Sequence, residues 1–122
     1  MLITVYHRSW FIRFIGCARM GQQQSTILEA LAEAKAQFAA GAYDDALIRL
    51  QAISNRAPME TEPIAAMALC YYVLGQTAHA RRIWKIIVSR DERYLLPRFL
   101  RKELGWPDAL LTVAAKVSAM VV

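Results

Sequence analysis

The chain has 122 residues, of which 57% are hydrophobic and 20% charged, with 5 glycines, 4 prolines and 2 cysteines. It is long enough to bury one core, too apolar for a disordered segment and too poor in cysteine for a disulfide-stapled scaffold. The formal charge is +5, but the basic groups are spread over the chain without a recognisable motif, so nucleic acid is not an expected partner.

Charge is polarised along the chain. Residues 21–62 hold three basic and six acidic groups, and residues 63–122 hold nine and four. Cys17 and Cys70 stand too far apart for a metal or redox spacing and read as free thiols.

The opening stretch, Leu2 to Ile15, is apolar but broken by Arg8 and Arg13. It is too short and too polar to span a membrane, and it lacks the basic start of a signal peptide. Two readings remain open for this extension, residues 1–24. One is a surface-lying amphipathic helix with Tyr6, Trp10 and Phe14 on one stripe. In the other, translation begins at Met20 and the preceding residues have no evolved role; Gly21 and Ser25 then match the myristoylation pattern formally.

The domain proper is read as residues 25–122. Thr26 and Glu29 form a capping box, and Ile27, Leu28, Leu31, Ala34 and Phe38 follow a helical period, predicting a helix over 26–40. Gly41 breaks it. A second helix starts near Tyr43, where Asp44 and Asp45 suit the positive end of the helix dipole, and stops before Pro58. Pro63 belongs in the first turn of a third helix that carries Leu69, Cys70 and Tyr72 and ends at Gly75. Thr77 is expected to cap a fourth, which carries Ala80, Trp84 and Ile87. Residues 93–104 and 107–119 read as two further helices, with Asp91 and Asp108 as candidate starts.

Laying the second pair on the first gives one fixed shift of 34 residues. Gly41 falls on Gly75, Ala46 on Ala80, Leu50 on Trp84 and Ile53 on Ile87. The stretch Gly41-Ala42-Tyr43-Asp44-Asp45-Ala46, closed by Pro58, resembles the tetratricopeptide repeat, whose period is the same. The second copy has Thr77 where the family has Tyr, and Glu92 where it has Pro. The resemblance implies an all-α, right-handed array of helical hairpins, with repeats at about 27–60 and 61–92. The last two helices then serve as caps, which solenoid ends require. Gly41, Tyr43, Ala46, Pro58, Gly75, Ala80 and Trp84 are the repeat-defining residues.

No catalytic constellation stands out. His7 and His79 are far apart, there is no phosphate-binding glycine loop, and Asp44 and Asp45 point about 100° apart on a helix. Enzyme activity, a cofactor and a metal are therefore not expected. In tetratricopeptide arrays the first helices of successive pairs form a concave wall that holds partner chains. The resemblance places Leu28, Leu31, Lys35, Phe38 and Ala39 there from one pair, and Ala65, Ala66, Leu69, Tyr72 and Val73 from the next. Such an apolar wall suits an amphipathic partner helix, with Phe38, Leu69 and Tyr72 as anchors. The competing reading is that the chain's own ends fold back and fill the wall as core. With Lys35 as its only cation, the wall does not suit the carboxylate-clamping subclass of the family.

Over residues 62–104, Glu62-Pro63, Ala68-Leu69-Cys70, Tyr72, Leu74-Gly75, Ser89, Asp91, Arg93 and Phe99 resemble the tetratricopeptide chaperone of the type III secretion needle subunit. That family implies a cytoplasmic protein which, with a small helical co-chaperone, shields the C-terminal helix of the needle subunit before export. A structural scaffold or homo-oligomer with a self-filled groove is the alternative.

Overall fold

The computed structural model describes the backbone of residues 16–121 and side chains from residue 26 to residue 121. The proposed stripe of Tyr6, Trp10 and Phe14 lies outside the described residues, as does the side chain of Cys17. Among the described residues are six α-helices: α1 (Gly16–Ala39), α2 (Tyr43–Arg56), α3 (Thr61–Val73), α4 (Thr77–Arg90), α5 (Pro97–Lys102) and α6 (Asp108–Val121), with a 3₁₀ turn at Glu92–Leu95 and no strand.

Successive helices pack as hairpins, α1 on α2, α2 on α3 and α3 on α4. The 34-residue register is repeated in the backbone. α2 and α4 are both 14 residues long and start 34 residues apart. The turns before them match bond for bond: Gly41 N–H donates to Phe38 O at 3.0 Å and Ala42 N–H to Gln37 O at 2.8 Å, while Gly75 N–H donates to Tyr72 O at 3.1 Å and Gln76 N–H to Tyr71 O at 2.8 Å. Both turns need a left-handed residue, since φ is +89° at Gly41 and +94° at Gly75. A Cβ added at Gly41 would meet nothing within 4 Å, so Gly41→Ala tests the backbone alone. It should cost about 1–2 kcal/mol, read as a shift in the urea midpoint without a change in slope.

Three local expectations are corrected. α1 runs without interruption through Thr26, so no helix starts there and Thr26 with Glu29 is not a capping box. The run from Gln22 to Ala39 contains neither glycine nor proline to stop it. Thr77 is the first helical residue of α4; Gln76 holds the cap position, and no side chain caps it.

The single helix expected over 93–104 is split. Proline disfavours a helical residue before it, and Leu96 is extended (φ −99°, ψ 114°) with Pro97 opening α5. Asp91 does start the 3₁₀ turn: its Oδ1 accepts from Arg93 N–H at 3.1 Å, and its carboxylate takes the Arg93 guanidinium at 2.8 and 2.9 Å.

The apolar stripes meet in one core. Ala46 and Ala80, Leu50 and Trp84, and Ile53 and Ile87 are all buried, each pair related by the 34-residue shift. α6 closes the array by lying against α1, α3 and α4 together, with a smaller contact to α5.

Candidate interaction surface

α1 and α3 are the helices expected to form a partner-binding wall, and α6 packs into a channel formed by α1, α3 and α4. Its floor comes from helix phase: α1 and α3 turn Leu31, Phe38, Ala65, Ala66 and Leu69 toward the core, where all five are buried, Leu69 to 0% exposure. Of the two readings left open, a partner groove or a wall filled by the chain's own ends, burial of these five residues fits the second. α6 packs against α1, α3 and α4, and its own buried residues Leu110, Ala114 and Val117 belong to the same core.

The remaining groove residues separate. Leu28 is 62% exposed and Ala39 is exposed, whereas Tyr72 and Val73 are half-buried against the core. Among the repeat-defining residues, Tyr43 meets Phe38 edge-on, with ring centroids 4.9 Å apart. Pro58 is exposed in the turn joining α2 to α3, where Glu60 N–H donates to Ala57 O at 3.0 Å. Proline at the second place of such a turn has its φ preset.

Lys35 is engaged within the chain. Its Nζ donates to Glu62 Oε2 at 3.0 Å and to the Leu104 carbonyl at 2.8 Å. The same Glu62 oxygen accepts from Trp106 Nε1 at 2.9 Å. This clasp fastens the loop before α6 to α1 and α3. The Lys35 and Glu62 side chains are only 16% and 17% exposed, so removing one charge leaves the other poorly solvated. Glu62→Gln should lower the folding free energy by about 1–3 kcal/mol, with the Lys35→Met and double variants closing the cycle.

Above the clasp, Trp84, Tyr94 and Trp106 pack with ring centroids 6.2 to 6.4 Å apart. Tyr94 also packs edge-on against Phe99 at 5.4 Å, and the Arg93 guanidinium sits over the Phe99 ring at 4.5 Å. Burial pushes the Tyr94 hydroxyl above its usual range, with the negative Glu62 adding to it. Neither Trp106 nor its bond to Glu62 was expected from the sequence, where Gly105-Trp106-Pro107 is a break between two helices.

Cys70 is a buried free thiol. Burial, reinforced by the negative Asp44, pushes its pKa from 9.0 to about 12. Between these values the unfolded chain releases the thiol proton and the native chain keeps it. Stability is therefore full below 9.0 and should fall as the pH rises toward 12, by roughly 1.4 kcal/mol per unit in the steep part. Urea midpoints at pH 8 and pH 11 check this, because Cys70→Ala should have the shallower alkaline loss.

Two other surface features lie away from the channel. Leu96 is 54% exposed at a cleft of about 530 Å³ whose lining includes Phe99, Arg98 and Lys102. On α4, Arg81, Arg82, Lys85 and Arg90 are exposed with no acidic residue on that helix. His79 lies edge-on to Tyr71 at 4.4 Å, and its Nδ1 is 3.4 Å from an Arg82 guanidinium nitrogen.

Among the described residues no group of three or more His, Cys, Asp or Glu is placed to hold a metal, and no helix is long and apolar enough to cross a membrane. No protein-family model, curated protein or solved structure matches the chain, so the channel and its occupant are read from this molecule's own geometry.

Proposed function

We propose that this protein is a polypeptide-binding adaptor or chaperone built as a right-handed, tetratricopeptide-type hairpin array, whose channel between α1, α3 and α4 holds one amphipathic helix. The observation that carries this reading is the seating of α6: a helix with an apolar stripe rests on all three channel helices, so the channel has the width and the lining that such a ligand needs. The specific version is a cytoplasmic chaperone of a secreted needle subunit acting with a small co-chaperone. Its support is the residue pattern over 62–104, although Ala68, Leu69, Cys70 and Gly75 in that pattern also serve the core and a turn.

A second reading is favoured by the same seating. In it α6 stays in place and the protein is a structural scaffold or homo-oligomer with a self-filled groove.

Co-expression of the full chain with any short helical protein encoded beside its gene, followed by hydrogen exchange on whatever complex copurifies, separates the two. Holding a partner helix requires changed protection in α1, α3 and α6. If no such neighbour copurifies and α6 stays fully protected, the scaffold reading replaces the chaperone reading.

A further inference from the structure

α6 and the loop before it are held by different means. The loop is fixed by polar bonds, Lys35 to the Leu104 carbonyl and Trp106 to Glu62. The helix is held by a buried stripe, Leu110, Ala114 and Val117, at i, i+4 and i+7. One side-chain hydrogen bond joins it to α4: Trp84 Nε1 donates to Ser118 Oγ at 3.0 Å.

That bond restricts what the channel accepts. Trp84 is 0% exposed, and an indole N–H donates only. A helix that filled the channel without an acceptor at this place would strand a buried donor, which is penalised more than the bond itself is worth. The centre of the stripe is restricted too, because Ala114 is buried and a larger residue there would be overpacked against the channel.

Building on the reading that the channel holds a partner helix, we propose that α6 is its resident, exchangeable occupant and that Trp84 selects the incoming helix. The ligand is an amphipathic helix with a large apolar residue, a small residue four places on, a β-branched apolar residue three places after that, and then at once a hydrogen-bond acceptor. α6 displays this pattern as Leu110, Ala114, Val117 and Ser118. The tether through Trp106 gives α6 the advantage of effective concentration, so a separate helix enters only when it binds better or when α6 is weakened.

The test uses the full chain and a fluorescent peptide of residues 107–122. The wild-type chain should bind the peptide weakly, because its own helix competes. The Val117→Asp chain should bind it at least about tenfold more tightly, regaining lost thermal stability as it does. Ser118→Ala in the peptide should weaken that binding by about tenfold.

If the Val117→Asp chain keeps its helicity but does not bind the peptide, α6 is a permanent core helix and the proposal is wrong. It is equally wrong if that chain unfolds and the peptide does not restore it. Equal binding of the Ser118→Ala peptide overturns the selection by Trp84. A natural partner captured while α6 stays protected from exchange would overturn the displacement alone, leaving the adaptor function to another surface such as the cleft at Leu96.

Discussion

Leu69→Glu should abolish the native fold, with loss of cooperative unfolding and of most helical circular dichroism at 25 °C. Leu69 is fully enclosed within α3, in one core with Trp84, Phe38 and Leu110. A carboxylate placed there loses its hydration and gains no cation: Lys35, the charged group bonded to α3, is already committed to Glu62 and Leu104. Burying an unpaired charge costs several kcal/mol, and losing the leucine packing adds about 2–5 kcal/mol. A domain of this size has about 5–15 kcal/mol in total. Tyr72→Glu is the informative control, because Tyr72 is only half-buried and its side chain has a route to water. Retention of the fold by Leu69→Glu would mean that α3 presents this residue to an open groove after all.

Trp84→Ala should cost about 3–5 kcal/mol, the range for removing a large buried aromatic residue. Three losses combine: the ring contacts to Tyr94 and Trp106, the bond to Ser118, and the volume between α4 and α6. Its counterpart in the first repeat, Leu50, is also buried but has no such bond, so Leu50→Ala should cost less, about 2–5 kcal/mol with the lower half expected. Trp84→Phe separates packing from hydrogen bonding, since it keeps most of the ring and removes the donor. Chemical denaturation of the four chains measures the series, and a Leu50→Ala loss as large as that of Trp84→Ala would count against the role given to the second repeat.

Much of the backbone was legible in the sequence because its determinants are local. A left-handed turn after fifteen or so good helix formers selects glycine, and Gly41 and Gly75 stand at those places. Proline marks where a helix starts or cannot continue. The same rule, applied to Leu96-Pro97, would have divided residues 93–104 into the 3₁₀ turn and α5; the apolar pattern of Tyr94, Leu95, Leu96, Phe99 and Leu100 hid the break by continuing across it. Thr26 failed for the opposite reason. A capping signature is permissive, and nothing before it stops the helix.

Only some of the expected groove residues share one environment, since Leu28 and Ala39 are exposed while Leu31, Phe38 and Leu69 are buried. The phase of their helices turns Leu31, Phe38 and Leu69 to a common wall, and they do share one core. Whether a wall is open or covered is not encoded in its own residues. The stripe of Leu110, Ala114 and Val117 was visible as a helical period, but a period names no surface to cover. Lys35 illustrates the same limit for charge: the sequence places it on the wall, while its two partners lie 27 and 69 residues away.

The sequence by itself determined α2, α3, α4 and α6, the two equivalent turns, the 34-residue register and the phase that makes Ala46, Ala80 and Trp84 face inward, all of which follow from backbone stereochemistry and hydrophobic period within a few turns of chain. Only the tertiary structure decided that α6 packs on α1, α3 and α4 together, and that Glu62 clasps Lys35 and Trp106. Hydrophobic burial is non-directional and so leaves the choice of cover open. Closing that choice takes bonds such as Trp106 to Glu62 and Trp84 to Ser118, which join residues 44 and 34 positions apart and exist only once the helices have packed.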